Sequence, residues 1–358
     1  MYFALSMQWL QRVAMHFQWK WISMKLLIDN WLAHFALVLA GAFGSSVVFA
    51  ETPQHMVFAS DSQYPWSDLT DKGESDPNKE ARSKELIELQ YSDIASFRAL
   101  NGGAHRIPVM INGDITAFGH GNERSYMRGV FETKLLGRYD YGLGNHDYAN
   151  NIDKCFLNNC AAGSINDFKA RYWGSGVSMD LAARSTGLGT IYYGSLAYSK
   201  DFGDVHVVQL NNEPTYTVSF TSGNPLARTS FEITDALDWL ERDLRSARAQ
   251  GKIIILNMHK VYDWAGSDAQ ISRFKQMLRQ YKVTAVFGGH DHRGVGMHIY
   301  SRKYELFGEV PVFMSGSASQ QTYLIASFAD GRQSLKISAV YDSNWPSREL
   351  VRVIPVLK

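Results

Sequence analysis

Cysteine is scarce in this chain of 358 residues, which contains only two. Two cysteines form at most one disulfide, so the class of small scaffolds held by many disulfides is excluded and an apolar core must supply most of the stability. The two lie close together, as Cys155 and Cys160. With no histidine nearby in sequence they would make a poor zinc site, so a local disulfide formed in an oxidising compartment is the favoured interpretation.

An excess of charge of either sign is also lacking. The chain has 36 Lys and Arg residues against 35 Asp and Glu residues, a net charge of +1. A protein that binds the nucleic-acid backbone usually carries a basic surface, so no nucleic-acid partner is expected. The content of 45% hydrophobic and 20% charged residues is typical of a globular protein.

Long apolar runs are absent after residue 50, and the run before it is interrupted by glycine and serine. A membrane span needs about 18 consecutive apolar residues. The basic Lys25 precedes the run, and Val48-Phe49-Ala50 resembles a cleavage site. We expect residues 1–50 to be a secretory signal peptide, with Met24 as a candidate true start, and 51–358 to be a single exported domain. An uncleaved membrane anchor is the alternative.

The rest of the chain alternates strand-like runs, polar clusters and helical periodicity, which predicts an α/β protein. Helices are expected from about Glu80 to Leu100, after Thr234 as N-cap, and from about Asp268 to Tyr281. Loops that set specificity are expected at 62–79, 117–130, 148–190 and 212–230. In this architecture ligands collect beyond the carboxyl ends of the strands.

Five polar clusters lie at such strand ends. They are Asp61-Ser62-Gln63, Gly113-Asp114, Gly144-Asn145-His146-Asp147, His259 and Gly289-His290-Asp291-His292. Their oxygen and imidazole ligands suit Mn, Fe or Zn. A shared carboxylate can bridge two such ions, which together bind an attacking oxygen and phosphate oxygens. The clusters therefore indicate a site for two metal ions that cleaves phosphate esters.

The order of the clusters resembles that of the calcineurin-like metallophosphoesterases, whose pattern is D-x-H, G-D, G-N-H-D/E, a single His and G-H-x-H. The resemblance extends from about Val57 to His292. It implies an α/β (α+β) fold, a four-layer αββα sandwich of two mixed sheets flanked by helices, with the dinuclear site at the strand ends.

The same resemblance implies a role for each residue. His146 would stand beside the leaving group as general acid or charge stabiliser, and Asp147 would orient its imidazole. Asp114 would bridge the two metals. The other metal ligands would be Asp61, His292 and, as an additional candidate, Gln63 for the first metal, and Asn145, His259 and His290 for the second.

At two positions this chain carries a residue that differs from the one typical of related proteins. Gln63 replaces the histidine of D-x-H, and an amide oxygen is a weaker donor than imidazole, so the first metal should bind less tightly or differ in identity. Ala117 stands where purple acid phosphatases carry a tyrosine, so no tyrosinate–iron colour is expected.

The leader at residues 1–50 predicts export, and the resemblance implies a phosphoesterase in which a metal-bridging hydroxide attacks phosphorus directly. A phosphomonoesterase acting on a small-molecule or lipid phosphate ester is the favoured interpretation. A phosphodiesterase acting on nucleotides or phospholipid headgroups is an alternative. A metal-stabilised binding protein without turnover is another, for which Gln63 would be the first sign.

Several further side chains have no role assigned by the pattern. His120 could contact substrate or be merely exposed, and His206 should face away from its neighbours Val205 and Val207. Four aromatic residues could line a pocket or simply pack in the core: Tyr64, Trp66, Trp173 and Trp264.

Overall fold

The computed structural model describes residues 52–187, 189–224, 228–297 and 306–358. All of them belong to one compact unit, Ala50–Lys358. The predicted signal peptide lies outside the described residues. Within the described ranges, no helix combines the length and the apolarity needed to cross a bilayer.

Six α-helices lie in the described ranges. Numbered along the chain, they are α1 (Asp68–Asp71), α2 (Lys79–Leu100), α3 (Gly121–Lys134), α4 (Asn159–Tyr172), α5 (Leu237–Ala249) and α6 (Asp268–Gln280). The longest, α2, buries Ile87, Tyr91, Ile94 and Phe97, which recur on one face at helical spacing. It ends before Gly102-Gly103, where the N–H of Gly103 donates to the carbonyl of Arg98 at 2.7 Å.

Seventeen strands are found in the same ranges. In chain order they are β1 (His55–Ala59), β2 (Val109–Asn112), β3 (Asp140–Gly142), β4 (Ser178–Met179), β5 (Ala182–Thr186), β6 (Gly189–Gly194), β7 (Tyr198–Phe202), β8 (Val205–Gln209), β9 (Val218–Ser222), β10 (Arg228–Ile233), β11 (Ile253–Asn257), β12 (Ala285–Gly288), β13 (Val295–Met297), β14 (Val312–Ser315), β15 (Tyr323–Phe328), β16 (Ser334–Val340) and β17 (Glu349–Pro355).

The strands form two large mixed sheets and one small one. The first sheet has the order β17-β16-β15-β1-β2-β3, and the second has the order β13-β14-β12-β11-β8-β7-β4. Each sheet contains a parallel part: β1, β2 and β3 at one side of the first sheet, and β8, β11, β12 and β14 in the middle of the second. The small sheet has the order β5-β6-β10-β9.

The two large sheets pack face to face, with helices outside them. Phe58 of β1 stacks on Phe287 of β12, with ring centroids 3.6 Å apart, in an apolar layer contributed by both sheets. On the outer face of the first sheet lie α2 and α3, and on that of the second lie α5 and α6. This arrangement confirms the predicted αββα sandwich of two mixed sheets.

All four stretches expected to be loops contain helices or strands, so those predictions were wrong. The short helix α1 lies within 62–79, and the strand β9 lies within 212–230. Within 117–130 begins α3, which buries Met127 and Phe131, and within 148–190 lies α4, which buries Ile165 and Phe168. Glycines obscured both patterns. Gly163 lies inside α4 close to Arg124, and with a Cβ there, 2.4 Å from the guanidinium, the side chain of Arg124 would have to shift.

Two predicted boundaries also shift. The helix expected after Thr234 begins at Leu237, with Ala236 at its N-cap, and the side chain of Asp235 accepts from the N–H of Leu237 at 3.0 Å. The strand expected at 196–199 begins at Tyr198. The predicted bond between Cys155 and Cys160 is present.

Candidate metal centre

The polar clusters meet where the parallel strands of both sheets end. Asp61 follows β1, Asp114 follows β2, Asn145 follows β3, His259 follows β11 and His290 follows β12. Backbone hydrogen bonds hold neighbouring loops together: Asp61 N–H donates to the carbonyl of Gly113 at 3.0 Å, and Gly289 N–H donates to the carbonyl of His259 at 2.8 Å. The two sheets thus bring residues far apart in sequence to one edge.

The backbone at this edge adopts conformations that L-residues rarely take. The φ angles are +49° at Asp61, +40° at Gln63, +49° at Asp114 and +74° at His290. Such conformations cost about 1–3 kcal/mol each and are concentrated at functional sites. Close approach adds a further constraint, since a Cβ at Gly144 would lie 2.2 Å from a carboxylate oxygen of Asp114.

His259 is the centre of one group of ligand atoms. Its Nδ1 lies 2.9 Å from the carbonyl oxygen of Asn112, which can only accept, so Nδ1 carries the proton of a neutral ring. Its Nε2 lies 3.0 Å from Oδ1 of Asn145 and 3.0 Å from Oδ2 of Asp114. One ligand atom each from Asp114, His259 and His290 lies within 4.8 Å of the others. The lone pair on Nε2 of His259 and the oxygens of Asn145 and Asp114 therefore converge, and a cation between them would stabilise this arrangement.

The same electrostatics appear in the pKa values of this group. Burial lowers the pKa of His259, but the carboxylates of Asp114 and Asp61 outweigh it and raise that pKa to about 9, so a proton occupies Nε2 when no metal does. Burial and the charge of His259 lower the pKa of His290 to about 4, which leaves its imidazole neutral with a lone pair available.

His292 is the centre of the second group. Its Nε2 lies 3.3 Å from Oδ1 of Asp61, and its Nδ1 lies 2.6 Å from Oδ1 of Asp71. Burial lowers the pKa of His292, but the two carboxylates outweigh it and raise that pKa to about 10. Burial raises the pKa of Asp61, but the charges of His259 and His292 dominate and lower it to about 2.

Several buried polar atoms at the centre have no hydrogen-bond partner within the described chain. They are Oδ1 of Asp61, Oδ2 of Asp114 and both amide atoms of Gln63. Leaving such atoms unsatisfied costs about 1–3 kcal/mol each. Gln63, Asp114, His290 and His292 line one cavity of about 310 Å³. The unsatisfied oxygens and the mixture of carboxylate, amide and imidazole donors fit metal ions of the Mn, Fe or Zn type.

His146 lies at the edge of this cavity and is oriented by backbone atoms. The backbone N–H of His146 donates to Oδ1 of Asp114 at 2.7 Å, and its ring Nδ1 lies 2.9 Å from the carbonyl oxygen of Ala117. A carbonyl accepts, so Nδ1 donates. The Nε2 makes no hydrogen bond within the described chain, and is therefore the ring nitrogen available to a ligand.

Asp147 does not contact the imidazole of His146, so the expectation that it orients this ring directly was wrong. Its carboxylate accepts from the backbone N–H groups of Ile115, Thr116 and Gly144 at 3.2, 3.0 and 2.9 Å. Burial and the charge of Asp114 raise the pKa of Asp147 to about 7. The carboxylate thus fixes the loop after β2, whose Ala117 carbonyl orients the ring.

Asp71 and Trp66 also belong to the centre, but only Trp66 was singled out from the sequence. The Oδ1 of Asp71 accepts from Nε1 of Trp66 at 2.6 Å as well as from His292, and its Oδ2 accepts from Gln320 at 2.7 Å. The ring of Trp66 stands edge-on to His146 and to His292, at 5.7 and 6.0 Å between centroids. Asp71 lies in a stretch rich in Asp, Gly and Pro, which indicates only a loop.

The other residues singled out from the sequence separate into different environments. Of the four aromatic residues, Trp66 lines the cavity, whereas Tyr64 packs on Tyr126 and Trp264 on Phe274. Trp173 lies against Tyr192. His206 points towards Asp243 of α5, away from the layer between the sheets that holds Val205 and Val207, as expected.

The αββα fold and the ligand atoms that converge at one edge of its sheets define a sandwich protein with a candidate metal centre. A family model for calcineurin-like phosphoesterases matches residues 65–294, and the chain belongs to this family. The matched segment contains Asp114, Asn145, His146, His259 and the pair His290 and His292, while Asp61 and Gln63 precede it. No curated protein matches the chain.

Solved structures with distant similarity share little sequence with this chain. GAP50, the anchor in the inner membrane complex of Plasmodium, is 11% identical with a TM-score of 0.46, over 85% of this chain and 89% of its own. A Vps29 single mutant from Entamoeba histolytica is 12% identical with a TM-score of 0.30, over 85% and 99%. A serine/threonine phosphatase from Saccharomyces cerevisiae is 10% identical with a TM-score of 0.29, over 88% and 82%.

Proposed function

We propose that this chain is an exported, metal-dependent phosphomonoesterase. The observation that carries the proposal is the convergence of two groups of buried ligand atoms, one around Asp114 and His259 and one around Asp61 and His292. His146 lines the same cavity as Asp114 and His292. Membership of the calcineurin-like phosphoesterase family supports hydrolysis of phosphate esters. The preference for monoesters is part of the proposal.

The residues would divide between two metal ions that share one carboxylate. Asp61, His292 and Gln63 would hold the first ion, and Asn145, His259 and His290 the second, with Asp114 common to both. When bound, ions of the Mn, Fe or Zn type would withdraw charge from the phosphate oxygens and lower the pKa of a water molecule towards neutrality. The unsatisfied oxygens of Asp61, Asp114 and Gln63 support this assignment.

His146 would supply the proton that the leaving group needs. The water oxygen bonds to phosphorus while the bond from phosphorus to the ester oxygen breaks, so no covalent link to the protein forms. A proton on Nε2 of His146 would pass to that ester oxygen, which leaves as an alcohol. The carbonyl of Ala117 keeps Nδ1 as a donor, so Nε2 is the nitrogen that exchanges its proton.

Export is supported by two features of the chain. The first 50 residues have the basic, apolar and small-residue layout of a signal peptide. The Cys155–Cys160 disulfide is of a kind that persists in oxidising compartments. Mass spectrometry of the mature protein recovered outside the cytoplasm tests this part, and a chain that retains residues 1–50 would contradict it.

Metal reconstitution tests the reaction. Metal-free protein is reloaded with Mn, Fe or Zn and assayed on an aryl phosphate monoester and on the matching diester. We expect turnover with at least one metal and a higher kcat/KM for the monoester. A higher value for the diester would favour the phosphodiesterase alternative. Bound metal without turnover of either ester would favour the binding protein and overturn the proposal.

The role of His146 has its own test. His146→Ala should retain both metals and lose roughly 100- to 10,000-fold in kcat, as expected for a lost proton donor. His105→Ala serves as a control, because His105 is exposed and does not line the cavity. Loss of metal in parallel with activity would show that His146 has been misassigned.

A further inference from the structure

A second cavity, of about 370 Å³, adjoins the metal centre through His146, which lines both. Its other walls include Phe118, His120, Asn150 and Lys154. None of these residues was assigned a role by the pattern of metal ligands. Because His146 would protonate the ester oxygen, a group attached to that oxygen would lie close to a side chain that lines this second cavity.

One wall of the second cavity is aromatic and fixed in place. The ring of Phe118 is 38% exposed and lies 5.7 Å from the ring of His120, tilted by 37°. The buried carboxylate of Glu123 accepts from the backbone N–H groups of Phe118 and His120, at 3.0 and 3.2 Å, and lies 2.9 Å from Nδ1 of His120. The ring of Phe118 is thus held where a planar group could stack on it.

Another part of the lining carries a cation without a counter-ion. Lys154 is exposed, and within the described ranges no carboxylate lies at ion-pair distance from its ammonium group. Its loop is closed by the Cys155–Cys160 disulfide, and the side chain of Asn151 donates to the carbonyl of His146 at 2.5 Å. An unpaired ammonium on an anchored loop favours an anionic partner.

We propose that this second cavity is the leaving-group pocket, and that it selects an aromatic leaving group bearing an acidic substituent. The inference rests on the proposed function, since it places the phosphate at the metal centre and the ester oxygen beside His146. Phe118 stacks on the ring of the leaving group, and Lys154 pairs with its acidic group. Glu123 directs its carboxylate to the N–H groups of Phe118 and His120 and does not line the pocket.

Equilibrium binding of phosphonates tests the cationic wall without turnover. The ligands are benzylphosphonate, in which a methylene replaces the ester oxygen, and its 4-carboxy derivative, titrated calorimetrically into metal-loaded protein. Wild type should bind the carboxy derivative about fivefold more tightly, as for one partly exposed ion pair. Lys154→Met should abolish that preference, whereas Lys336→Met, on the exposed side of β16, should retain it.

The aromatic wall is tested with benzylphosphonate against propylphosphonate. Phe118→Ala should reduce the preference for the aromatic ligand about fivefold. Phe156→Ala is the matched control, because Phe156 is 82% exposed in the neighbouring loop and does not line the pocket. Equal effects of both substitutions would overturn the assignment of Phe118.

The outcomes separate the two proposals. If wild type hydrolyses phosphate esters but shows neither binding preference, or if Lys154→Met leaves the preference for the carboxy derivative intact, the leaving-group pocket is wrong and the phosphoesterase stands. If wild type hydrolyses no ester with any metal but binds with both preferences, the phosphoesterase proposal falls and the pocket remains as a ligand site.

Discussion

Two buried histidines on neighbouring strands of the second sheet differ in how oxygen atoms surround them. His206, on β8, has one carboxylate on each ring nitrogen: Asp201 lies 2.7 Å from Nδ1 and Asp243 lies 2.8 Å from Nε2. His259, just after β11, has one acceptor on Nδ1 but two oxygens at 3.0 Å from Nε2.

This difference separates a structural histidine from a ligand. Two protons satisfy His206 completely, because each N–H has its own acceptor. At His259 a single proton on Nε2 cannot bond well to both oxygens, and Oδ2 of Asp114 has no hydrogen-bond partner. A histidine near two acidic or amide side chains is therefore not by itself a metal site. What matters is whether the oxygens converge on one nitrogen.

Removing each imidazole gives the largest contrast. His259→Ala should abolish activity and lower the bound metal from two ions per chain to one or none, because the second ion loses a ligand. His206→Ala should keep both ions and nearly all kcat, measured well below its Tm. Metal content is followed by elemental analysis. Equal metal loss in the two variants would contradict the distinction.

The pH dependence of stability sharpens the same contrast. Burial lowers the pKa of His206, but the carboxylates of Asp201 and Asp243 outweigh the effect of burial. They raise this pKa to about 9, above the ordinary value of 6.5. The resulting stabilisation, about 3 kcal/mol, is fully present below pH 6.5 and is lost as the pH rises through about 9. Lys252, 2.9 Å from the carboxylate of Asp201, shares that partner.

The measurement compares the free energy of unfolding of wild type and His206→Gln at pH 6 and at pH 10, by denaturant titration. The gap between the two proteins should shrink by about 3 kcal/mol at the higher pH. A gap that is constant with pH would mean that His206 is not held as an imidazolium.

Asp71 offers a smaller effect confined to the first metal. Asp71→Asn removes the carboxylate behind His292 and should weaken the binding of that ion about 10- to 100-fold while leaving the second ion unchanged. Asp68→Asn is the matched control in the same short helix, since Asp68 pairs with Arg82 instead. Chelator competition measures both affinities. Equal weakening of the two ions would rule out a specific effect on His292.

Gln63 should give the smallest change. If its amide oxygen is a weak ligand, Gln63→His should tighten the first ion about tenfold, because imidazole is a stronger donor. Gln63→Leu, of similar size, should loosen the same ion. An affinity unchanged in the leucine variant would show that the amide is not a ligand.

An α/β architecture and the edge that carries the centre could be predicted from local patterns, whereas the αββα sandwich was implied by the family resemblance. Asp114, His259 and His290 each follow a buried strand, and the edge where parallel strands end is shared by all of them. The helix α4 was not predicted, because Asn, Gly and Ser in its first half weaken the helical signal, and its buried face packs against other parts of the fold. The third sheet, β5-β6-β10-β9, likewise depends on pairings between distant segments.

Roles that depend on a contact across the fold were also beyond prediction. Asp147 was expected at the imidazole of His146, its neighbour in sequence, yet the turn directs its carboxylate to the backbone of Ile115 and Thr116. Asp71 reaches His292 across 221 residues of sequence. No local signal marks a residue whose partner is so distant.

The sequence by itself determined which kinds of donor atom are available and that they lie at strand ends, because strand periodicity and short polar clusters are local properties. Only the tertiary structure decided which nitrogen faces which oxygen, that Asp71 lies behind His292, and that the leaving-group pocket adjoins His146. Those relations depend on the packing of one sheet and its loops against another, and distances between segments far apart in the chain exist only once that packing is complete.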